Sequence, residues 1–539
     1  MADDVRADAA DDAEDKDLDD SVGHVRAWLF AALLALGLAL LLTAQLGAAP
    51  VGSRAEQRCD DIVRAMHASG DWLVPRREGA AWLNKPPLFY WLATSVGALR
   101  GQVDRFGLRS VSALAALGVL LLTLLWARRR GAVEALLAGA LFTCMVEVIA
   151  RGREGTAEMT LCLLANLCLF LFAEREFHAR AGLRWCFALA LGAALLAKAT
   201  SALLIVGLPI GVSLLSRGRG AQLLRRRHVV PVVTALLLGV SWHVVVSLTT
   251  PGAFATFTSA LLLPLGVVTE QQSVLHSATH YGAWYLPIDS LLRGAAPVSL
   301  LLPLVVVRAW RSRFWQQNAT LRFHAIVVIS LLTAFVLLPQ KRPHYVLPCF
   351  PSLALLTADA CFAAARRSAR FVRRARISLG VAQLALFALL GVSAAFWFGV
   401  VLEVERADLF ALAAGLAALL AVVVFALRSG RTSRVAVGAL LVWWALLAFH
   451  AGSVQVWRER SRSGEIAASA DAESARWADL LQRYPRLLGA FEPDRAALAQ
   501  PPGNARDELA SATPDIGASP TSQLAAGSFV HSLSVETPP

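Results

Sequence analysis

Residues 86–100 read PPLFYWLATSVGALR, and where this stretch sits decides the topology of the whole chain. It is apolar and aromatic but short, about 15 residues opened by a double proline, whereas crossing the hydrocarbon takes about 20 apolar residues in a helix. Counting it as a span would place Arg128-Arg129-Arg130 on the far side of the membrane and invert every later loop. Positively charged loops stay on the cytoplasmic side. The stretch is therefore read as an interfacial or re-entrant helix.

With that choice made, the rest of the chain falls into order. Apolar runs occur near 27–49, 108–127, 132–150, 159–173, 184–199, 200–216, 229–249, 290–308, 323–338, 345–364, 377–402, 409–427 and 435–453. These thirteen runs put every arginine cluster inside: 128–130, 175–184, 217–227, 308–313, 366–376 and 428–434. Composition agrees with a lipid solvent, because 56% of the 539 residues are hydrophobic, 17% are charged and the mean hydropathy is +0.55. The reading is an all-α polytopic membrane protein with about 13 transmembrane helices. Residues 1–20 carry ten acids and two bases, so 1–23 is expected to be a disordered acidic cytoplasmic tail and the first apolar run a retained helix. The segment from about 455 to 539, rich in Ala, Pro and Ser, is expected to lie across the membrane and to be mostly disordered, with one short helix near 464–482. Six of the seven cysteines lie in apolar runs and Cys59 outside them, so neither a disulfide framework nor a CxxC metal knuckle is expected.

The loop 50–107 is the most structured piece outside the spans. Cys59, Ile62, Val63 and Met66 form an i, i+3, i+4, i+7 stripe, which predicts an amphipathic helix at the membrane surface. Glu56 and Asp60 share a face of it, either as a solvated acidic edge or as working carboxylates. Lys85, directly before Pro86-Pro87, is either a snorkelling surface group or a cation aimed by a rigid turn. Lysine usage bears on that choice. Only Lys16, Lys85, Lys198 and Lys341 stand among 51 basic residues, and the last three all map to one side. A lysine ammonium is a compact point charge suited to a phosphate oxygen. The turn Arg151-Gly152-Arg153-Glu154-Gly155-Thr156-Ala157-Glu158 holds further charges at membrane depth, where each costs about 2.5–3.5 kcal/mol unless paired or employed. His280, Trp284 and Tyr285 suit a sugar or headgroup. His276 and His280 are four apart, but no further ligand completes a metal site, and neither metal nor cofactor is expected.

Together these segments resemble the bacterial aminoarabinose transferase and dolichyl-phosphate-mannose protein mannosyltransferase-like family. The likeness is carried by Glu56-Gln57-Arg58, Ser69-Gly70-Asp71-Trp72-Leu73-Val74-Pro75-Arg76 and Lys85-Pro86-Pro87-Leu88-Phe89-Tyr90-Trp91-Leu92. It continues through Arg153 to Glu158, Lys198, His280 to Tyr285, and Lys341-Arg342-Pro343-His344-Tyr345-Val346-Leu347-Pro348. It covers about residues 27–365. The resemblance implies a C-type glycosyltransferase fold, with a membrane domain over 24–365, a structured first periplasmic loop at 50–107 and additional helices over 366–454. The tail beyond is then periplasmic, and the protein sits in the bacterial inner membrane. It implies a polyprenyl-phosphate sugar donor, an acceptor that is lipid A, a glycan or a protein, and inversion at the anomeric centre. Ala55 stands where many members carry an aspartate, and Ala283 where a proline is common.

Sugar transfer from a lipid phosphate calls for a base on the acceptor hydroxyl and cations on the departing phosphate. On the resemblance, Glu56 is expected as the base and Glu158 as a second carboxylate. Lys85, Lys341, Tyr345, His344 and Lys198 are expected on the donor phosphate, with Arg58, Arg153, His280, Trp284 and Tyr285 on substrate. A transporter would usually carry inverted repeats, which the sequence lacks. A catalytically inactive scaffold would explain Ala55 but not the retained lysines.

Overall fold

The computed structural model describes residues 29–47, 53–174, 180–218, 225–262, 283–311, 318–338, 341–396, 406–428 and 434–449, apart from a few single positions. The acidic start, the tail from 455 with its expected helix, and His276 and His280 lie outside the described residues. The described residues are mainly helical: α1 (Ala31–Thr43), α2 (Arg54–Ser69), α3 (Leu88–Arg100), α4 (Arg105–Ala127), α5 (Ala132–Cys144), α6 (Val146–Gly152) and α7 (Ala157–Ala173). There follow α8 (Ala181–Leu215), α9 (Arg226–Thr249), α10 (Ala253–Leu262), α11 (Leu286–Gly294), α12 (Leu302–Arg311), α13 (Ala319–Leu337), α14 (Phe350–Arg367), α15 (Ala369–Phe396), α16 (Arg406–Arg428) and α17 (Val437–Leu447).

Within the described residues, each apolar run falls on helix, and the runs 132–150 and 290–308 are each divided between two. Among the described residues, six helices are long and apolar enough to cross a membrane, or eight if the bent pairs α5–α6 (67°) and α11–α12 (102°) each count as one span. α1, α7 and the apolar parts of α16 and α17 are shorter. The pair expected at 184–199 and 200–216 forms the single element α8, which breaks at Lys198 (φ −165°, ψ 84°). That extended residue interrupts the helical hydrogen-bond ladder, so two helices meet at a lysine. This is a multi-pass membrane protein.

α3 has 13 residues, about 20 Å at 1.5 Å per residue, and it ends at Gly101 (φ 71°), a left-handed position that suits glycine. Asp104 then caps α4, its carboxylate accepting from the Gly107 N–H at 2.7 Å and pairing with Arg100 at 2.8 Å. The expected stripe on α2 is present and buried. It differs from expectation in what covers it: Cys59, Ile62, Val63 and Met66 pack on Phe89, Tyr90 and Ala93 of α3, Leu108 and Val111 of α4, and Ala157 of α7. The apolar face of α2 is thus satisfied by protein. Nor do Glu56 and Asp60 make a common acidic edge, because Glu56 is buried while Asp60 pairs with Arg64 at 2.9 Å.

The remainder of the loop is fixed by short contacts. A two-residue hairpin, β1 (Arg76–Arg77) with β2 (Ala80–Ala81), turns at Glu78 and Gly79, both at positive φ as a type I′ turn requires. Arg77 returns to Asp61 of α2 at 3.1 Å. The indole N–H of Trp91 donates to the Trp72 carbonyl (2.6 Å) and that of Trp242, on α9, to the Leu73 carbonyl (2.8 Å). The loop therefore lies on the ends of α3, α4, α7 and α9, where the charged motifs gather. Topology reporters fused at Arg129, Arg225 and Arg373 should all report one side, the cytoplasm. If Arg129 alone reports the opposite side, α3 is a span.

Candidate active site

Two carboxylates, Glu56 and Glu158, organise this end of the molecule, and they differ in what holds them. Glu56 is 2% exposed. Ser53 caps α2 by accepting the Glu56 N–H at 3.1 Å. The side chain then turns inward to Arg109 of α4, which donates from Nε to Oε1 (2.6 Å) and from a terminal nitrogen to Oε2 (3.1 Å). The other terminal nitrogen of Arg109 reaches the Leu46 carbonyl at 2.8 Å. Oε1 also accepts the Gly155 N–H at 2.8 Å. Such a fork-on-carboxylate pair is among the stronger charge-assisted arrangements. The carboxylate expected as the base is thus, in this structure, enclosed by a guanidinium and a backbone amide.

Glu158 lies two residues into α7 and is 9% exposed. Lys198, at the break in α8, donates to both its oxygens at 3.1 and 3.0 Å. Lys85 approaches Oε1 at 3.7 Å and the His344 Nε2 stands 3.4 Å from the same oxygen. The Lys198 ammonium also lies 5.0 Å from the centre of the Tyr345 ring, close enough for a cation–π contact. Two of the chain's four lysines, from segments more than a hundred residues apart, meet on one carboxylate. Lys85, whose side chain is 30% exposed, is the more open and the more loosely held of the two.

The other expected residues distribute unevenly. Lys341 donates to the Leu338 carbonyl at 2.6 Å and does not contact Glu158. Arg58 lies 5.9 Å from the Trp82 ring. Arg153 points at the Leu41 and Leu42 carbonyls (2.6 and 3.1 Å), on the last turn of α1. Trp284 and Tyr285 are 66% and 55% exposed and stack edge to face just before α11. His280 lies outside the described residues. Cys59, close to the lysine cluster, is no nucleophile: burial pushes its thiol up to about 12 against the opposing pull of Lys85 and Arg58. Among the described residues no three His, Cys, Asp or Glu side chains gather as metal ligands would.

Sequence reading missed the charges inside apolar runs. Arg109 is one. Glu147 is another, accepting at 2.6 Å from Arg151 of the turn that the sequence singles out; Arg151 also donates to Glu154, which accepts from the Ser53 hydroxyl at 2.5 Å. A third group stands elsewhere in the bundle, where Arg130 pairs with Glu134 and Asp359, and Arg308 meets Asp359 at 3.0 Å. The signal was a lone charge in an apolar run, which at bilayer depth calls for a partner.

Comparison with known proteins follows the same outline. Residues 84–245 match the family described as dolichyl-phosphate-mannose-protein mannosyltransferase. The undecaprenyl phosphate-alpha-4-amino-4-deoxy-L-arabinose arabinosyl transferase of Aeromonas salmonicida is 30% identical over 317 residues, covering 57% of this chain and 56% of the relative. The corresponding transferase of an Enterobacter species is 28% identical over 337 residues, covering 61% and 59%. The chain thus spans little more than half the length of these curated relatives. The crystal structure of ArnT from Cupriavidus metallidurans bound to undecaprenyl phosphate superposes with a TM-score of 0.60 at 23% identity, over 82% of this chain and 79% of that one. The fold is that of the C-type membrane glycosyltransferases.

The buried pair makes a stability prediction. Arg109→Ala strands the Glu56 carboxylate without its counter-charge and should destabilise the protein by about 3–5 kcal/mol, the usual cost of breaking a buried pair from one side. Arg109→Met combined with Glu56→Gln should recover part of that loss. Thermal unfolding in detergent measures both. Equal unfolding temperatures for Arg109→Ala and wild type would remove the pair from the structural framework.

Proposed function

We propose that this chain belongs to the aminoarabinose transferase and protein mannosyltransferase-like family and transfers a sugar from a polyprenyl-phosphate donor to an acceptor at the periplasmic face. The acceptor is lipid A, a glycan or a protein, and transfer inverts the anomeric centre. The protein would sit in the bacterial inner membrane with its N-terminus cytoplasmic and its C-terminal tail periplasmic. The observation that carries this reading is the convergence of Lys85, Lys198 and His344 on Glu158.

The chemistry follows from the contacts. A donor phosphate competes with Glu158 for the nearby ammonium groups, and Lys85 is the one free to move because its hold at 3.7 Å is the longest. Once Lys85 sits on phosphate, Glu158 keeps Lys198 and gains an oxygen able to accept a proton. The acceptor oxygen attacks the anomeric carbon opposite the phosphate, and the sugar–phosphate C–O bond breaks with its electron pair on the leaving oxygen. The acceptor proton passes to Glu158. The phosphate departs as an anion, so the lysines and Tyr345 supply the stabilisation that a general acid would otherwise give. Lys341 would serve the donor only after leaving the Leu338 carbonyl. Arg58, Arg153, His280, Trp284 and Tyr285 remain candidates for the sugar and acceptor.

On this reading Glu56 and Glu158 divide the work. Glu158 meets the reacting atoms, and Glu56 positions it through the Gly155 N–H at the entrance to α7. The alternative keeps Glu56 as the base and requires it to leave Arg109 during turnover. Transfer of labelled sugar from polyprenyl phosphate in proteoliposomes decides between them, and also separates an enzyme from a transporter or an inactive scaffold. Glu158→Gln should lower kcat by about 10²–10⁴, the usual contribution of a positioned base. Lys85→Ala should raise the donor KM or abolish turnover, with partial rescue by Lys85→Arg. Near-native rates in Glu158→Gln alongside collapse in a folded Glu56→Gln would return the base to α2. No transfer by the wild-type protein from any lipid-phosphate sugar would sink the enzyme reading.

A further inference from the structure

The transferase reading leaves one feature unused, the arginines over 366–376 and 428–434. Arg366, Arg367, Arg370, Arg373 and Arg374 are exposed where α14 gives way to α15, and no acidic residue lies within 366–376. The nearest acid upstream on α14, Asp359, is buried and held by Arg130 and Arg308. Retention of positive charge on the cytoplasmic side accounts for arginines as such. It does not account for the cleft beside them.

That cleft, about 340 Å³, opens between α15, the end of α16 and the residues leading into α17. Arg376, Gly380 and Leu384 line it at i, i+4 and i+8, facing Leu427 and Val435. Gly380 keeps the passage open, since a Cβ there would stand 3.0 Å from Leu427 Cδ2. One turn before Arg376 on the same face is Arg373. Across the opening, Arg428 ends α16, and Arg434 lies 5.2 Å from the Phe425 ring. The walls are therefore apolar and one rim is cationic, on a span that the described residues leave largely exposed.

We propose that this cleft binds one anionic phospholipid of the bilayer, an acyl chain between α15 and α16 and the phosphate on Arg373 and Arg376. A guanidinium fork matches phosphate oxygens in pairs, and basic pockets between membrane helices are suited to anionic headgroups. A zwitterionic lipid would fill the same slot but bring its own cation to a rim that carries several. This site is independent of the sugar-transfer chemistry.

Native mass spectrometry of the full-length protein, delipidated in mild detergent and titrated with phosphatidylglycerol or phosphatidylcholine, tests it. One phosphatidylglycerol should be retained at concentrations where phosphatidylcholine is not. Arg373→Gln with Arg376→Gln should weaken retention roughly tenfold or more. Gly380→Leu, which keeps every charge and fills the slot, should do the same in protein that still elutes as a single species. Arg225→Gln with Arg226→Gln, in another basic cluster, should leave retention unchanged. Equal binding of the two lipids, native-like retention in the Arg373/Arg376 variant, or equal loss in the Arg225/Arg226 variant would each overturn the proposal.

Discussion

The arrangement of the candidate site depends on one buried ion pair, Arg109 with Glu56. Its net worth relative to a well-packed apolar pair is small, because both charges lost their water when they were buried. Its geometry is another matter. A guanidinium has five donors in a fixed plane, and here that plane is used to bind α2 through Glu56 and the chain after α1 through the Leu46 carbonyl. The carboxylate passes the constraint on to Gly155. Gly155 has no room for a side chain, since a Cβ would come within 2.6 Å of Leu108 and 3.3 Å of Glu56 Oε1. The turn into α7 is thus held from two sides. Three residues later Glu158 emerges with little positional freedom and meets Lys198.

Around Glu158 the balance of charge explains the choice of lysine in an arginine-rich chain. A guanidinium facing Glu158 would make the fork that Arg109 makes with Glu56, and such a bond is slow to exchange. An ammonium is a point charge on a flexible stem, able to leave one oxygen for another with little geometric penalty. Lys198, at two nearly equal distances from the two oxygens, is the fixed partner. Lys85 has only the single longer contact and partial exposure. The carboxylate thus holds one cation closely through both oxygens and a second loosely through one.

Much of this was legible in the sequence, because lipid is a stringent solvent. Apolar run length placed the helices, and the arginine clusters argued that 86–100 falls short of a span. The scarcity of lysine drew attention to Lys85 and Lys198. What was not legible was pairing. Arg109, Glu134 and Asp359 were absorbed into apolar runs, although an isolated charge there implies a partner whose identity only tertiary packing reveals. The α2 stripe predicted burial correctly but not its cover, since periodicity reports which face is hidden and is silent about whether lipid or protein hides it. Arg153 and Lys341 were read by residue type, and the structure turns both toward backbone carbonyls.

The same limit bears on Ala55 and Glu56. Adjacent residues in an α-helix point about 100° apart, so the side chains at 55 and 56 leave the helix in different directions. Ala55 precedes Cys59 by four residues and Glu56 precedes it by three, so the two flank it on α2. Cys59 feels both Lys85 and Glu158 there. Glu56 instead faces Arg109. A carboxylate at position 55 would enter the neighbourhood of the lysine cluster, and one at 56 enters the packing between α2, α4 and α7. Glu56 is the carboxylate that this packing encloses, held by the Arg109 guanidinium. With alanine at 55, the carboxylate that meets Lys85 among the described residues is Glu158, three residues after the glycine that Glu56 holds.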